Sequence, residues 1–298
     1  MRIAITGSSG LLGSALVGTL RHDGDDVIRL VRRPPRSAGE LRWDPQAPDA
    51  GLDPAGLDGV EAVVNLAGAG VADHRWTASY KETIRASRVT STRALAGVLA
   101  GMKQPPSVLL SGSAVGWYGD TGGREVDESA PAGTGFLAGV VKEWEAAADP
   151  ARAAGVRVVT LRTGIVLTRE GGVLARLLPL FRLGLGARLG SGRQIMSWVA
   201  LADWLRMVRF LRDHAEISGP VNLTAPEPVS NATFTSELAA ALHRPAALSV
   251  PSPVLELALG GVTSDLLSSA RVLPRQLSDA GFEFSFPGLA GALAAELG

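Results

Sequence analysis

The stretch Thr6-Gly7-Ser8-Ser9-Gly10-Leu11-Leu12-Gly13 lies between a short apolar run at residues 2–6 and an amphipathic stretch at residues 11–22. Its three glycines answer three separate demands. Gly7 permits a tight turn out of a strand, Gly10 lets an anionic ligand approach the backbone, and Gly13 allows a helix to pack closely on the strand. The first N–H groups of a helix have no partner inside it and carry the positive end of its dipole, so a helix start at Leu11 is suited to meet phosphates. Gly7, Ser9, Gly10, Leu11, Leu12 and Gly13 are therefore the candidate phosphate contacts. A loop of this kind between a first strand and a first helix predicts a Rossmann-type dinucleotide-binding domain, against the alternative of a purely structural glycine turn. The spacing is G-x-x-G-x-x-G, one residue longer than the G-x-G-x-x-G of many dehydrogenases.

Working outward, β-rich runs at residues 27–31, 60–66, 107–111 and 156–161 alternate with helical patterns at 78–100 and 136–148, and a short strand is read at 41–43. Such alternation specifies a parallel sheet covered by helices. Within residues 78–100, Ile84, Val89, Leu95 and Leu99 mark the apolar stripe. Beyond Gly164 the texture changes, with helices read at 171–182, 201–212 and 234–242 between glycine-rich and polar connections. The expected fold class is α/β, a doubly wound parallel Rossmann sheet with a smaller mixed C-terminal part. We divide it into a cofactor domain at residues 1–163 and a substrate-side part at 164–298, interleaved with the first. A substrate cleft is expected between them, at the strands' C-terminal ends.

The residues after the second strand address which dinucleotide is held. A site for NAD places Asp or Glu about 20 residues past the loop, where it accepts hydrogen bonds from the ribose 2′-OH. Here Val31 is followed by Arg32 and Arg33. A carboxylate would repel a 2′-phosphate, whereas guanidinium groups bind it with paired, charge-assisted hydrogen bonds. The expected cofactor is NADP(H), with Arg32 and Arg33 as candidate contacts; a solvated arginine pair is the alternative.

Composition narrows the rest. The 298 residues are 46% hydrophobic and 19% charged, enough for a sizeable core and unlike a disordered chain. Formal net charge is zero, from 29 Lys+Arg against 29 Asp+Glu, and no basic-aromatic stripe appears, so nucleic acid is not an expected partner. Cysteine is absent, which excludes disulfides, thiolate metal sites and a cysteine nucleophile and fits a reducing cytoplasm. No leader and no membrane span are read; the apolar stretch at residues 253–261 is far too short. His22, His74, His214 and His243 have no metal-ligand spacing, and no metal is expected. Asp127 and Glu128 read as solvated loop carboxylates. The oligomeric state is left open.

Several ordered motifs carry a resemblance. They are Asn65-Leu66-Ala67-Gly68, the run from Ile84 to Val89 with Thr92, Phe136-Leu137, Trp144-Glu145-Ala146-Ala147, and the run from Arg162 to Leu167. The segment from Phe181 to Gly186, then Gly190 to Gln194, Trp198 and Asp203, continues the series, which ends in Pro251, Gly260, Val272-Leu273-Pro274 and Gly281-Phe282. Together they resemble the extended short-chain dehydrogenase/reductases, in an epimerase-like subgroup (family 39U and its bacterial relatives) that includes the C-terminal domain. The resemblance implies cofactor contacts from Asn65, Leu66, Ala67, Gly68, Arg88, Ser111 and Thr163. Arg88 is expected to reach the adenosine phosphate, more so if it lies beside Arg32, a surface arginine being the alternative. By analogy with related epimerases, Arg193, Gln194 and Trp198 would lie near a nucleotide-sugar, against the alternative of a packed connection.

Catalysis in that superfamily uses a Ser or Thr, a Tyr, and a Lys four residues after the Tyr, combining acid–base chemistry with a hydride carrier. Ser113 matches the serine, with local backbone capping as its alternative. The helix that should carry the pair reads Phe136-Leu137-Ala138-Gly139-Val140-Val141-Lys142. Lys142 is the candidate lysine, against a solvated helix residue, and Ala138 then stands where the tyrosine should be. Of two tyrosines in the chain, Tyr118 is the candidate substitute acid, facing the substrate pocket, against simple packing beside Trp117. The expected function is an NADP(H)-dependent oxidoreductase or nucleotide-sugar-epimerase-like enzyme acting on a carbonyl or hydroxyl compound, nucleotide-linked ones included. A catalytically impaired NADP(H)-binding protein with a sensor or structural role is the alternative.

Overall fold

The computed structural model describes residues 1–259, 263 and 267–298; Gly260 and Gly261 lie outside the described residues. In chain order the elements are β1 (Arg2–Thr6), α1 (Leu11–His22), β2 (Asp26–Val31), β3 (Glu40–Arg42), β4 (Ala62–Asn65), α2 (Ala78–Gly101), β5 (Val108–Ala114), β6 (Glu125–Val126), α3 (Phe136–Ala146), α4 (Asp149–Ala153) and β7 (Arg157–Thr163). They continue with β8 (Ile165–Leu167), α5 (Gly172–Arg182), β9 (Ala187–Leu189), β10 (Ile195–Met196), β11 (Trp198–Ala200), α6 (Leu201–Asp213), β12 (Gly219–Leu223), β13 (Val229–Ser230), α7 (Asn231–Ala241), β14 (Leu248–Val250), α8 (Ser252–Leu259) and β15 (Arg271–Val272). Helices at Arg275–Asp279 and Leu289–Leu297 close the chain.

Seven strands form one parallel sheet in the order β12-β7-β5-β4-β1-β2-β3. Ile3, Ala4 and Ile5 of β1 are fully buried, as the central strand of a two-sided sheet requires. On one face, Leu16, Val17 and Leu20 of α1 and Trp204, Met207 and Leu211 of α6 pack on Ile3, Ile5, Leu110 and Leu161. On the other, Leu95 and Leu99 of α2 and Ala151 of α4 cover Ala4, Val63, Leu109 and Val158. Ile84, Val89, Leu95 and Leu99, the stripe read from the sequence, are all buried.

The chain lays β2 and β3 to one side of β1, then crosses back to add β4 on the other. That reversal opens a crevice at the C-terminal ends of β1 and β4, where doubly wound sheets bind ligands. Residues 7–13 sit at its edge.

The strand β12 had no signal in the sequence reading. It opens on Gly219-Pro220, residues that argue against a strand interior, but it is the outermost strand of the sheet, where proline's missing N–H is harmless. With α6, it comes from beyond residue 163 and completes the sheet. A separate core of Leu174, Leu178, Phe181, Phe234, Leu238, Leu289 and Leu293 organises the remaining C-terminal helices. Short strand pairs β8–β11, β9–β14, β10–β13 and β6–β15 tie these segments together. Among the described residues no helix is long and apolar enough to cross a membrane.

Asp203 joins the two cores. Its carboxylate, almost fully buried, accepts hydrogen bonds from the Ser285 and Phe286 backbone N–H groups at 3.0 and 2.8 Å and pairs with Arg206 at 3.0 Å. Asp203→Ala leaves both amides without their acceptor. It is expected to lower the unfolding free energy by about 2–5 kcal/mol, read from the urea midpoint.

Candidate active site

At the end of β1, Thr6 Oγ1 donates to Asn65 Oδ1 (2.7 Å) and accepts from the Leu66 and Ala67 N–H groups (3.1 and 3.2 Å). Asn65 Nδ2 donates to Thr92 Oγ1 at 2.8 Å, and Trp144 Nε1 donates to the same oxygen at 2.9 Å. This chain of bonds locks the turns after β1 and β4 to α2 and α3. The Asn65 side chain is consumed by it, so the open part of the motif is the turn of Leu66, Ala67 and Gly68.

The glycines divide by role. Gly7 has φ +65°, and a Cβ there would stand 2.5 Å from Leu66 O. A Cβ on Gly13 would stand 2.2 Å from Gly7 O. Both are compelled by packing. A Cβ on Gly10 would meet only Gly7 O, at 3.4 Å, and otherwise point into open space. Packing alone leaves Gly10 unexplained, and close approach of a ligand accounts for it. The first amide of α1 bonded within the helix is that of Ser14, to Gly10 O at 2.8 Å. The Leu11, Leu12 and Gly13 N–H groups precede it, no side chain caps them, and no acidic residue stands in the first turn. Ser9 is exposed, whereas Ser8 is buried and accepts from Arg29 Nε at 3.2 Å.

The two arginines after β2 differ. Arg33 makes a two-pronged pair with Glu40 of β3 (2.8 and 2.6 Å) and also reaches Pro34 O. Glu40 takes a third bond from the Arg36 N–H at 2.7 Å, and Arg33 above all holds its carboxyl down at about 2. Arg32 is exposed and has no hydrogen bond or ion pair among the described residues.

Arg88 packs against Gly68 and over the Trp144 ring, 5.2 Å from its centroid, and donates to Ile84 O at 3.1 Å. Burial lowers its pKa, and no carboxylate pairs with it among the described residues. Its neighbours belong to the β4–β5 side of the crevice, while Arg32 follows β2 on the other side of β1. The contacts of Arg88 are thus with Gly68, Trp144 and Ile84 and not with Arg32. Ser111, level with Asn65 in the sheet, is 1% exposed and its hydroxyl has no partner. Thr163 Oγ1 donates to Leu161 O and accepts from Trp204 Nε1 at 3.1 Å, a structural use of that hydroxyl.

Beyond Ser111 the sheet ends in a buried polar network. Ser113, Arg162 and Asn222 are in register on β5, β7 and β12. The Ser113 hydroxyl donates to Glu145 Oε1 at 2.6 Å, and Arg162 grips both oxygens of Glu145 at 2.8 and 3.0 Å. Arg162 also donates to Tyr118 OH at 3.0 Å and lies over the Trp117 ring, 4.0 Å from its centroid. Tyr118 OH donates in turn to Asn222 Oδ1 at 2.7 Å. The Asn222 N–H donates to Glu128 at 3.0 Å, and its Nδ2 to Leu273 O at 2.9 Å.

Three readings change here. Tyr118, expected to face the pocket, is 3% exposed with its hydroxyl held on both sides, and burial pushes its pKa to about 12. Glu128, expected in solvent, is buried beneath β12, and burial raises its pKa. Gln194 and Trp198 are buried as well, donating to Leu189 O and Glu227 O, while Arg193 is exposed. Lys142 lies on the exposed face of α3 without a partner among the described residues, and Ala138 is buried. Glu145, Arg162, Asn222, Glu40 and Arg29 were not singled out as site residues. One signal was available: an arginine inside the run Val-Val-Thr-Leu-Arg-Thr of a buried parallel strand requires a buried partner.

A parallel sheet with an uncapped helix start, glycines compelled at the crevice and arginines nearby defines a dinucleotide-binding protein of the Rossmann class. Residues 3–223 match the NAD dependent epimerase/dehydratase family, and residues 250–296 match a domain of unknown function, DUF1731. The chain belongs to that epimerase/dehydratase family. It is 46% identical over 283 residues to the epimerase family protein Mb2239 of Mycobacterium bovis, covering 95% of this chain and 93% of that one. The crystal structure of human epimerase family protein SDR39U1 (isoform 2) with NADPH superposes with a TM-score of 0.90 at 31% identity, covering 100% and 99% of the two chains. A nucleoside-diphosphate sugar epimerase from Corynebacterium glutamicum is similar at 38% identity and TM-score 0.83, over 100% of this chain and 58% of that one.

If Tyr118 serves the network and not proton transfer, Tyr118→Phe acts on stability. The variant is expected to lose about 1–3 kcal/mol of unfolding free energy, because Arg162 and Asn222 lose a partner, while its affinity for NADPH stays unchanged. Chemical denaturation and a fluorescence titration check the two halves.

Proposed function

We propose that the protein is an NADP(H)-dependent oxidoreductase or epimerase-like enzyme acting on a hydroxyl or carbonyl compound. The observation that carries this reading is the uncapped start of α1, where the Leu11, Leu12 and Gly13 N–H groups have no side-chain cap and Gly10 leaves open space beside them. These amides would hold the pyrophosphate, the turn of Leu66, Ala67 and Gly68 would line the adenosine side, and Arg88, a cation without a carboxylate, would meet a phosphate. The orphaned Ser111 hydroxyl fits a polar ligand at the same level. Bound NADPH is the partner of the similar human protein, and a nucleotide-linked substrate is suggested by the sugar-nucleotide epimerase. Residues 1–163 would supply the cofactor side and residues 164–298 the substrate side.

When bound, the cofactor supplies a hydride donor or acceptor; this chain supplies orientation and exclusion of water. Glu145 accepts from Arg162 with both oxygens, and the Ser113 hydrogen is committed to Oε1. The Ser113 oxygen keeps its lone pairs outside this network and would orient a ligand hydroxyl by accepting its hydrogen. Tyr118 stays protonated in neutral solution and does not act as the acid. Lys142, facing solvent, does not take the usual lysine's place on the ribose.

A second reading, an NADP(H)-binding protein without catalysis, is favoured by one feature: Ala138 and Lys142 leave the usual acid–base pair unformed. Calorimetric titration with NADPH and NADH, followed by assays of carbonyl compounds with NADPH and hydroxyl compounds with NADP+, separates the readings. NADPH is expected to bind more tightly than NADH, with turnover on a hydroxyl compound that falls in Ser113→Ala. Tight NADPH binding without turnover supports the second reading, and a preference for NADH overturns the choice of cofactor.

A further inference from the structure

Packing in the C-terminal core accounts for only part of the apolar surface of α5. Leu174, Leu178 and Phe181 are buried in that core. Val173 and Leu180, two turns apart on the outer side, are exposed, and so are Leu183 and Leu185 just beyond the helix end, Leu183 to 74%. A helix that is apolar on both sides is ordinarily covered on both. In α8 Leu255 is buried, whereas Val254 and Leu257 are exposed, Leu257 to 84%. Leu248 of β14 and Val71, three residues beyond Gly68, complete the set. Met1 aside, these are the large apolar side chains exposed among the described residues.

The segments that carry them are in contact. Arg176 of α5 donates to Ala72 O at 2.7 Å and pairs with Asp73 at 3.3 Å. Arg75 donates to Leu257 O at 3.1 Å, Arg244 donates to Arg182 O at 2.9 Å, and β9 runs beside β14 with Ala187 opposite Leu248. The leucines and valines thus form one patch, unlike the scattered single residues of an ordinary surface. It begins beside the crevice, because a Cβ on Gly171 would stand 2.8 Å from Leu11 Cδ1, so that the start of α5 rests on the start of α1. The charge around the patch is one-sided. Residues 171–202 carry four arginines and residues 238–255 one, and neither stretch holds an Asp or Glu, in a chain whose formal net charge is zero. Arg182, Arg188 and Arg244 are exposed, and none forms an ion pair among the described residues. Of the acidic residues on the contributing segments, Asp73 is taken by Arg176 and Glu256 lies on α8.

We propose that this face docks on an anionic phospholipid surface, with the leucines entering the lipid and Arg182, Arg188 and Arg244 meeting headgroup phosphates. Apolar side chains enter the headgroup boundary, and basic residues around them are drawn to anionic lipid. A second copy of the chain fits less well, because a two-fold contact sets the same patch against itself and brings unpaired arginines face to face. A protein partner also fits less well: the exposed set is leucine and valine without an aromatic ring, and protein contacts draw their anchors from Trp and Tyr more than from Leu and Val. The docking is peripheral and does not depend on the cofactor reading above.

Co-sedimentation of the full chain with vesicles tests it, with phosphatidylcholine alone and with a two-to-one mixture of phosphatidylcholine and phosphatidylglycerol. Thermal denaturation of each variant reports folding. The wild-type protein is expected to bind the mixed vesicles more tightly than the neutral ones and to leave them as salt is raised. Leu183→Glu and Leu257→Glu, at side chains already in water, should each weaken binding to mixed vesicles by at least about tenfold with Tm unchanged. Arg182→Gln or Arg188→Gln should weaken it about fivefold and leave binding to neutral vesicles as it was. Lys103→Gln, exposed between α2 and β5 at the opposite end of the sheet, should change it by less than about twofold. Absence of binding to mixed vesicles overturns the proposal and leaves the face to a protein partner. Vesicle binding that survives both leucine substitutions overturns it as well. So does a dimer in sedimentation velocity that Leu183→Glu abolishes, which makes the face a self-contact.

Discussion

The Arg162 guanidinium is buried at the C-terminal end of β7, and a charge in that position has to be neutralised where it sits. Burial opposes its ionisation, yet Glu145 and Tyr118 reverse the balance and its pKa is raised. Breaking a buried pair of this kind typically costs about 3–5 kcal/mol, because the surviving charge is left without a partner. Everything around Arg162 is arranged to avoid that cost. Glu145 comes from α3, Tyr118 from the turn after β5, and Asn222 from β12, so three strands and a helix are held in one geometry by one side chain. Through Asn222 the same network reaches Leu273 O, and through Glu128 it reaches the Asn222 and Gln276 amides, which fixes the C-terminal segment to the sheet edge.

The same arrangement shapes the helix on which the tyrosine–lysine pair would have stood. The face of α3 that looks toward the sheet is taken by Trp144 and Glu145, which bond Thr92 and Arg162, and by Ala138, buried against its neighbours. Lys142, one turn after Ala138, falls at the adjoining exposed edge of the same helix. At that point the helix is committed to packing and charge pairing.

Legibility in the sequence followed the range of the interaction. The glycine loop, β1, α1 and α2 are specified by neighbours in the chain, through turn geometry and the period of the apolar stripe, and their bounds were read almost as the structure has them. The edge strand β12 was invisible because its Gly219-Pro220 start is tolerable only at a sheet edge, which is a fact about position in the sheet. Arg32 and Arg33 look equivalent in the sequence and are not, since Glu40 lies on a three-residue strand whose pairing to β2 no local pattern announces. Ser8 and Ser9 are likewise indistinguishable as letters; the turn at Gly7 sends one inward to Arg29 and the other outward. Tyr118 was misplaced for the same reason, because its partners are 44 and 104 residues away.

The two ends of the crevice obey opposite electrostatic rules. At the nucleotide end, donors exceed acceptors: amides at the start of α1 are free, Arg88 and Arg32 lack carboxylates among the described residues, and Glu40 is outnumbered. That end is suited to an anion, in keeping with the dinucleotide phosphates of the proposed cofactor. At the Ser113 end every strong donor already has an acceptor, and the tyrosine hydroxyl is held far above the neutral range. Affinity for a cofactor and the means of moving a proton are thus separable in this protein. In the proposed function the first would rest on unspent cations and amides around the glycine loop. The second would have to come from outside the network that holds the sheet together, whose donors are already spent on its own acceptors.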